Sequence, residues 1–191
     1  MCRHLLASQV DLADLDSIKE ACEQIARTEG RVSLLLNNAG VMATPQLTTK
    51  QGFELQVGTN HLGHHALTRL LLPIMDDDGR VVTVASTAHT MGQVDTTDLF
   101  FKEGRKYSPW GAYGQSKAAN ILFAKGLADE LQKAGSGILS CSLVSVAGDA
   151  RRLLLLRATP HDAARRNRRN QDAALASEIS AAPPSRRSTL G

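Results

Sequence analysis

The chain has few cysteines, few aromatic residues and no long apolar segment. Its three cysteines, Cys2, Cys22 and Cys141, are far apart and form no CxxC pair, which argues against a disulfide framework or a zinc cage. No apolar run approaches the ~20 residues that cross a bilayer, and residues 1–10 lack the features of a secretory signal. These absences predict a cytosolic protein without a membrane segment, and we expect Cys22 to serve in core packing.

The basic charge of the chain lies at its C-terminal end. Residues 1–150 contain 13 Lys and Arg against 16 Asp and Glu, whereas residues 151–191 contain nine arginines, no lysine and three acids. This tail is rich in Arg, Ala, Ser and Pro around one apolar group at 153–156, and its composition predicts disorder or weak helix. Clustered arginines attract phosphate, but no aromatic stacking residues accompany them, so we expect no nucleic-acid binding.

Strand and helix patterns alternate through the rest of the chain. Short apolar runs predict strands over residues 5–11, 32–36, 80–86 and 138–144, and residues 76–79 are predicted to form a turn. Helices are predicted from Asp14 or Asp16 to Gly30, from a Thr48/Gln51 capping box to about residue 75 with an interruption near 58–60, and from 108–109 to about 134. The alternation predicts an α/β fold with a largely parallel sheet.

The third predicted helix carries a tyrosine and a lysine at a spacing that suits proton transfer. Tyr113 and Lys117 are four residues apart, which places both side chains on one helix face. A cation held close to a phenol favours the phenolate, and a phenol so placed can exchange a proton with a substrate oxygen near neutral pH. Carbonyl reduction needs such a group because hydride arriving at carbon leaves a negative oxygen. Taken alone, this spacing is usually an amphipathic accident.

Three further residues lie at predicted strand ends. Ser86 closes one strand, and Asn37 and Gly40 follow another. Ligands of open parallel sheets bind beyond the carboxyl ends of the strands, so these residues predict one crevice, where the Ser86 hydroxyl could orient the reacting oxygen.

Several motifs in order along the chain resemble the short-chain dehydrogenase/reductase family. They cover roughly residues 5–143, and the segment Gly52-Phe-Glu-Leu-Gln-Val-Gly-Thr-Asn-His-Leu-Gly-His64 is similar to the retinol-dehydrogenase-like and WW-domain-oxidoreductase-like branch. The resemblance implies a Rossmann-like, doubly wound parallel sheet. The motifs are Asp11-Leu12, Asn37-Asn-Ala-Gly40, Asn60-His-Leu-Gly63, Val81-Val-Thr-Val-Ala-Ser86 and Tyr113-Gly-Gln-Ser-Lys117.

The resemblance also implies a role for each catalytic position. Tyr113 would be the general acid/base, and Lys117 would favour its phenolate and bind the nicotinamide ribose. Ser86 would steady the substrate oxygen, and Asn60 would hold a water that connects Lys117 to solvent. The residues expected to contact the rest of the cofactor are Asp11 and Leu12 beside the adenine and Asn37, Asn38, Ala39 and Gly40 on the adenosine side.

The family implies NAD(P)(H) as cofactor, with NADP(H) slightly favoured and the choice undetermined by these residues. It implies a small lipophilic alcohol or carbonyl as substrate, interconverted by hydride transfer. The helices that contain Asn60 and Tyr113 would commonly supply a homodimer interface.

The chain departs from the family pattern at both ends. No G-x-x-x-G-x-G turn precedes Asn37, so the chain resembles a family member that starts at the third strand and lacks two strands and the phosphate-binding turn. After Leu143 the tail replaces the final strand. We therefore expect a partial NAD(P)-binding domain at 1–149, a tail at 150–191, and a strand at 32–36 that forms a sheet edge. The alternative to an active oxidoreductase is a truncated, non-catalytic variant that at most pairs with a full-length relative.

Two smaller questions concern residues near these motifs. His61, His64 and His65 have helical spacings that suit a metal, but no acidic or cysteine ligand lies nearby in sequence, so we expect no metal site. Tyr107 and Trp110 precede the Tyr113 helix and either touch substrate or cap the loop; the sequence leaves both options open.

Overall fold

In a computed structural model of the chain, the structure describes residues 8–145 and 153–156. Along the sequence the regular elements are helix α1 (Leu15–Thr28), strand β1 (Val32–Asn37), the short helix α2 (Leu55–Val57), a π-helix (Gly58–Gly63), helix α3 (His64–Leu71), a 3₁₀ turn (Leu72–Ile74), strand β2 (Met75–Ser86), a second 3₁₀ helix (Thr87–Met91), helix α4 (Pro109–Lys133), strand β3 (Leu139–Ser145) and strand β4 (Leu153–Leu156).

The four strands form one sheet in the order β1-β2-β3-β4. The first three are parallel, with Leu36 opposite Val82 and Val82 opposite Cys141, which confirms the predicted α/β fold. β4 runs antiparallel to β3. The prediction of disorder or weak helix was therefore wrong for residues 153–156, because this apolar run finds backbone partners on the free edge of β3. The rest of the predicted tail lies outside the described residues.

The helices pack their apolar stripes against one face of the sheet. Ile18 of α1, Leu71 of α3 and Leu127 of α4 share a core with Leu35 of β1 and Val81 of β2. Cys22 is buried in the same core, as expected. Because side chains alternate along a strand, the residues between these sheet positions project from the opposite face.

Within the part of the chain that the structure describes, the β1 edge and the face of β1 opposite the helices carry exposed apolar side chains. Leu34 and Leu36 of β1 are 61% and 54% exposed. Their strand is the last in the sheet on that side, which confirms the edge predicted from the sequence. An apolar edge strand without proline or charge has unpaired backbone groups that can accept another strand.

Several helix boundaries follow the sequence signals. Asp14 caps α1, its side chain accepting the N–H of Asp16, and Gly30 follows at a φ of 69°, a backbone conformation that glycine adopts without strain. Ser108 caps α4 and accepts the N–H of Gly111. The predicted interruption of the second helix is the π-helix at Gly58–Gly63.

Three local predictions were wrong. Of the strand predicted over residues 5–11, residues 8–11 form no strand, and no strand in the described part of the chain pairs with them; residues 5–7 lie outside the described residues. The Thr48/Gln51 capping box does not form, because Thr48 pairs in an isolated bridge with Glu54, and Glu54 itself caps α2. Residues 76–79, predicted as a turn, lie inside β2, where the pairing with β1 is irregular and Arg31 contacts Asp76 at 2.6 Å.

No helix in the described part of the chain is long and apolar enough to cross a membrane.

Candidate active site

A cavity of about 280 Å³ opens beyond the carboxyl ends of β1 and β2. Ser86 is the last residue of β2, and its Oγ accepts the N–H of Ala88, so the same side chain caps the 3₁₀ helix that follows the strand. The pairing of β2 therefore fixes the backbone of Ser86, and the Ser86 side chain lies at the cavity. The lining residues are Asn38, Gly40, Val41, Met42, Val84, Ala85, Ser86, Tyr113 and Lys117.

Tyr113 and Lys117 reach this cavity from the first half of α4. The Lys117 Nζ lies 5.6 Å from the centre of the Tyr113 ring, as the four-residue spacing predicts. Lys117 is only 4% exposed, and its Nζ donates to the Val84 carbonyl at 3.2 Å. Burial lowers the pKa of Lys117 to about 8, because the ammonium form loses its water. The cavity therefore holds a phenol beside a desolvated amine.

Asn60 joins the cavity wall to α4 from the middle of the π-helix. Its Oδ1 accepts the N–H of Val41 at 2.8 Å, and its Nδ2 donates to the Val41 carbonyl and to Ser116 Oγ, each at 2.9 Å. Ser116 Oγ in turn donates to the Tyr113 carbonyl at 2.7 Å. The Asn60 amide is thus a cross-link between the loop after β1 and the turn of α4 that carries Tyr113.

Gly40 lies close to both Asn60 and Lys117. A Cβ at this position would lie 2.7 Å from Asn60 Oδ1 and 3.7 Å from Lys117 Nζ. Any side chain here would force the Asn60 amide to move, so the glycine lets the β1 loop approach both residues.

The predicted cofactor residues divide into two groups. Asn38 and Gly40 line the cavity. Asn37 does not: it lies on the same side of the sheet as Leu35, where its Nδ2 donates to Thr68 Oγ1 at 2.9 Å. The prediction that Asn37 points into the crevice was therefore wrong, because strand alternation turns it under the sheet.

The remaining predicted positions are also away from the cavity lining. Ala39 and Asp11 are exposed, and the Asp11 carboxylate accepts the N–H of Ala13 at 2.8 Å. Leu12 is buried, with its carbonyl so close to Gly63 that a Cβ on that glycine would overlap it. The structure thus places Leu12 against the π-helix, and the adenine-side roles stay predictions.

The three neighbouring histidines make different contacts, although the rings of His61 and His65 both pack against Phe123. His61 Nδ1 faces Asn120 Oδ1 at 3.3 Å, His64 Nδ1 faces the Asn60 carbonyl at 2.9 Å, and His65 packs edge-on against Phe123. Burial lowers the pKa of His61 to about 4. Among the residues that the structure describes, no group of three His, Cys, Asp or Glu side chains is placed to hold a metal ion.

Tyr107 and Trp110, which the sequence left undecided, have different surroundings. The Tyr107 hydroxyl donates to the Thr44 carbonyl at 3.0 Å and accepts from Gln56 Nε2 at 2.9 Å, so Tyr107 fastens the loop to α2. Trp110 is 47% exposed and meets the Tyr113 ring edge-on, with 6.0 Å between ring centres. Trp110 is therefore available at the Tyr113 side of the site.

Sequence reasoning missed several polar residues that support this arrangement. Gln56 is fully buried, accepts the N–H of Ala43 at 2.8 Å and donates to the Pro109 carbonyl at 2.9 Å. Asn120 donates to the Val84 carbonyl at 3.1 Å, the same oxygen that Lys117 contacts. Lys117 and Asn120 are three residues apart on α4, a spacing that places them on one face, but nothing in the sequence shows that both reach one carbonyl.

A profile of the short chain dehydrogenase family matches residues 2–98. The chain belongs to the short-chain dehydrogenase family. Retinol dehydrogenase 13 from Homo sapiens is 47% identical over 137 residues, which are 71% of this chain and 40% of that protein. This short-chain dehydrogenase thus spans about two fifths of the length of that curated relative, and it is retinol-dehydrogenase-like in the part that aligns.

Solved structures support the same fold. The crystal structure of an uncharacterised protein from Mycobacterium paratuberculosis is 45% identical, with a TM-score of 0.66, over 75% of this chain and 50% of that one. A short-chain dehydrogenase from Burkholderia cenocepacia, solved in complex with NADP, is 24% identical, with a TM-score of 0.52, over 69% of this chain and 49% of that one. The first is similar in sequence and in fold over the part that aligns, and the second shows the fold alone.

Proposed function

We propose that this chain carries the proton-transfer part of an NAD(P)-dependent alcohol/carbonyl oxidoreductase site. The observation that supports it is the convergence of Ser86, Tyr113 and Lys117 on one cavity beyond the strand ends. A hydroxyl, a phenol and an amine in that position match what a reacting carbonyl oxygen requires, namely a proton donor and a second hydrogen bond.

The residues present fit the nicotinamide end of such a cofactor. Lys117 has three N–H donors, of which the Val84 carbonyl needs one, so its amine can also serve ribose hydroxyls. Asn38 and Gly40 stand at the same cavity. When bound, the cofactor supplies the hydride donor or acceptor.

In the reduction direction, the Tyr113 hydroxyl gives its proton to the carbonyl oxygen as hydride reaches the carbon. The Ser86 hydroxyl donates a hydrogen bond to the same oxygen and orients it. The Lys117 ammonium stabilises the phenolate that remains, and a proton from solvent restores the phenol. In the oxidation direction, the Tyr113 phenolate takes the alcohol proton. We expect a lipophilic alcohol or carbonyl as substrate, and retinol is a reasoned first choice because the aligned relative is a retinol dehydrogenase.

Calorimetric titration with NADPH and with NADH tests the cofactor site, and turnover of retinal tests the reaction. The Tyr113→Phe variant keeps the ring packing against Trp110 and removes only the hydroxyl. We expect it to bind cofactor normally and to lose turnover by about 10²- to 10⁴-fold. Binding of neither cofactor by the unmodified chain would rule out catalysis.

A second candidate is a non-catalytic chain that pairs with a full-length relative through α4. The 58% exposure of the apolar Leu122 side chain on α4 favours it. Sedimentation of the chain with human retinol dehydrogenase 13 tests it: a mixed species that Leu122→Arg removes would support pairing, and two independent boundaries would exclude it.

A further inference from the structure

The π-helix that contains Asn60 is a rare backbone form, since i→i+5 turns occur mostly as single turns at functional sites. Glycines at both ends make it possible here. A side chain on Gly58 would overlap Thr49, and one on Gly63 would overlap the Leu12 carbonyl. These contacts allow the turn to fit between its neighbours, but they do not explain its backbone hydrogen bonds, which differ from the i→i+4 bonds of an α-helix.

His64 contacts the Asn60 carbonyl with its side chain and not with its backbone N–H. In an α-helix the His64 N–H would donate to the Asn60 carbonyl, four residues earlier. Here the His64 N–H donates to the His61 carbonyl instead. The imidazole turns back, and its Nδ1 lies 2.9 Å from the Asn60 carbonyl oxygen. A carbonyl can only accept, so Nδ1 carries the proton.

We propose that His64 is a positioning residue, whose Nδ1–H holds the π-helical turn at Asn60 and so directs the Asn60 amide to Val41 and Ser116. The proposal concerns the site to which the oxidoreductase function is assigned above, and it rests on that function only for its catalytic consequence. Without the imidazole bond, the turn loses the group that fixes the Asn60 backbone, and the three hydrogen bonds of its amide lose their common anchor.

The position of His64 is itself fixed from the sheet. Thr68 Oγ1 donates to the His64 carbonyl at 2.7 Å, and Asn37 Nδ2 donates to Thr68 Oγ1 at 2.9 Å. Asn37 ends β1, so a buried chain of polar contacts leads from the strand through Thr68 and His64 to Asn60. This series of hydrogen bonds gives Asn37 a structural partner and explains why its side chain lies on the same face of the sheet as Leu35.

The surroundings keep the imidazole neutral. Burial lowers the pKa of His64, and the nearby Lys117 ammonium lowers it further. A neutral ring protonated on Nδ1 retains the bond to Asn60 across the physiological range.

Two substitutions separate the hydrogen bond from the volume of the ring. In His64→Asn, the Nδ2 group occupies the place of Nδ1 relative to the backbone, so a donor to the Asn60 carbonyl is kept. In His64→Leu, a methyl group occupies that place and the donor is lost. His65→Asn, one residue along on the exposed surface, is the matched control.

Amide hydrogen exchange of the full chain provides a measurement that does not depend on activity. The Val41 N–H donates to Asn60 Oδ1, so its protection from hydrogen exchange reports whether the Asn60 side-chain amide keeps its orientation. We expect His64→Leu to lower Val41 protection about tenfold, the effect of one hydrogen bond, while protection of Val82 in β2 stays unchanged. His64→Asn and His65→Asn should leave Val41 protection as in the original chain.

Equal Val41 protection in His64→Leu and the original chain would overturn the proposal, as would an unprotected Val41 in the original chain. A uniform loss at Val41 and Val82 in His64→Leu, with no recovery in His64→Asn, would show general destabilisation and would also overturn it. Failure of the oxidoreductase function would appear separately, as absent cofactor binding with the Val41 pattern intact.

Discussion

Gly92 and Gly114 meet backbone to backbone where the 3₁₀ helix Thr87–Met91 ends against α4. A Cβ on Gly114 would lie 2.5 Å from the Ala88 carbonyl oxygen and 2.7 Å from the Gly92 nitrogen. The 3₁₀ helix begins directly after Ser86, and Gly114 follows Tyr113. This close contact therefore sets the distance between the strand that carries the serine and the helix that carries the tyrosine.

The Gly114→Ala substitution should separate these two elements. We expect a loss of about 1–3 kcal/mol in the free energy of unfolding, as for other overpacked positions, and a fall in any turnover. Urea unfolding measures the first effect. Gly126→Ala is the control on the same helix, because nothing lies within 4 Å of its Cβ position; it should raise stability by up to about 1 kcal/mol. Equal effects of the two substitutions would contradict the assignment.

The Lys117→Met substitution should stabilise the chain at neutral pH. Lys117 has a folded-state pKa of about 8 against 10.5 when unfolded, so the unfolded state holds its proton more tightly. Burying the charged ammonium therefore lowers the free energy of unfolding by its full amount below pH 8, and this destabilisation disappears as pH rises from 8 to 10.5. We expect Lys117→Met to be more stable by up to roughly 3 kcal/mol at pH 7 and similar to the original chain at pH 10.5. Urea titrations at the two pH values check this; a variant that is less stable at pH 7 would refute it.

Acid should destabilise the chain through His61. Burial keeps its folded-state pKa at about 4, below the ordinary 6.5, so the unfolded state binds the extra proton first. His61 therefore leaves the free energy of unfolding unchanged above pH 6.5. As pH falls towards 4, protonation of this group in the unfolded state lowers that free energy by at most roughly 3 kcal/mol. In His61→Asn the Nδ2 donor to Asn120 is retained and the titration is removed. We expect its unfolding free energy to fall less between pH 6.5 and 4, and identical acid profiles would count against His61.

The exposed β1 edge should promote self-association. Leu34 and Leu36 are more than half exposed on a strand without charge or proline. We expect Leu34→Lys to lower the average mass measured by analytical ultracentrifugation at high protein concentration. Leu47→Lys introduces the same charge at a residue that is 51% exposed outside the strands and should leave association unchanged. A chain that stays monomeric without any substitution would disprove the expectation.

The sequence predicted the elements that carry strong local signals. Asp14, Gly30 and Ser108 marked helix ends where the structure has them, and the buried strands ending at Ser86 and near Val144 were found from their apolar runs. The predicted strand ends placed Ser86, Asn37 and Gly40 at one crevice, and of these Ser86 and Gly40 line the cavity. Tyr113 and Lys117, paired by their helical spacing, line it as well. Their chemical roles remain predictions.

What the sequence did not predict depends on contacts between distant residues. Thr48 and Gln51 match a capping box, but the backbone pairing of Thr48 with Glu54 moves the helix start. Asn37 follows an apolar run and looked like a crevice residue, yet its face is decided by the register of β1 against β2. The roles of Gln56 and His64 are visible only when their hydrogen-bond partners are known, because a lone polar residue in a helix carries no sign of its partner.

Trp110 is the single tryptophan of the chain, and its ring abuts that of Tyr113. Fluorescence excited at the long-wavelength end of the protein absorption band, where only tryptophan absorbs, consequently comes from Trp110 alone, next to Tyr113. The molecule thus has a native optical reporter, whose quenching or spectral change on adding a small molecule signals events at that spot without any label.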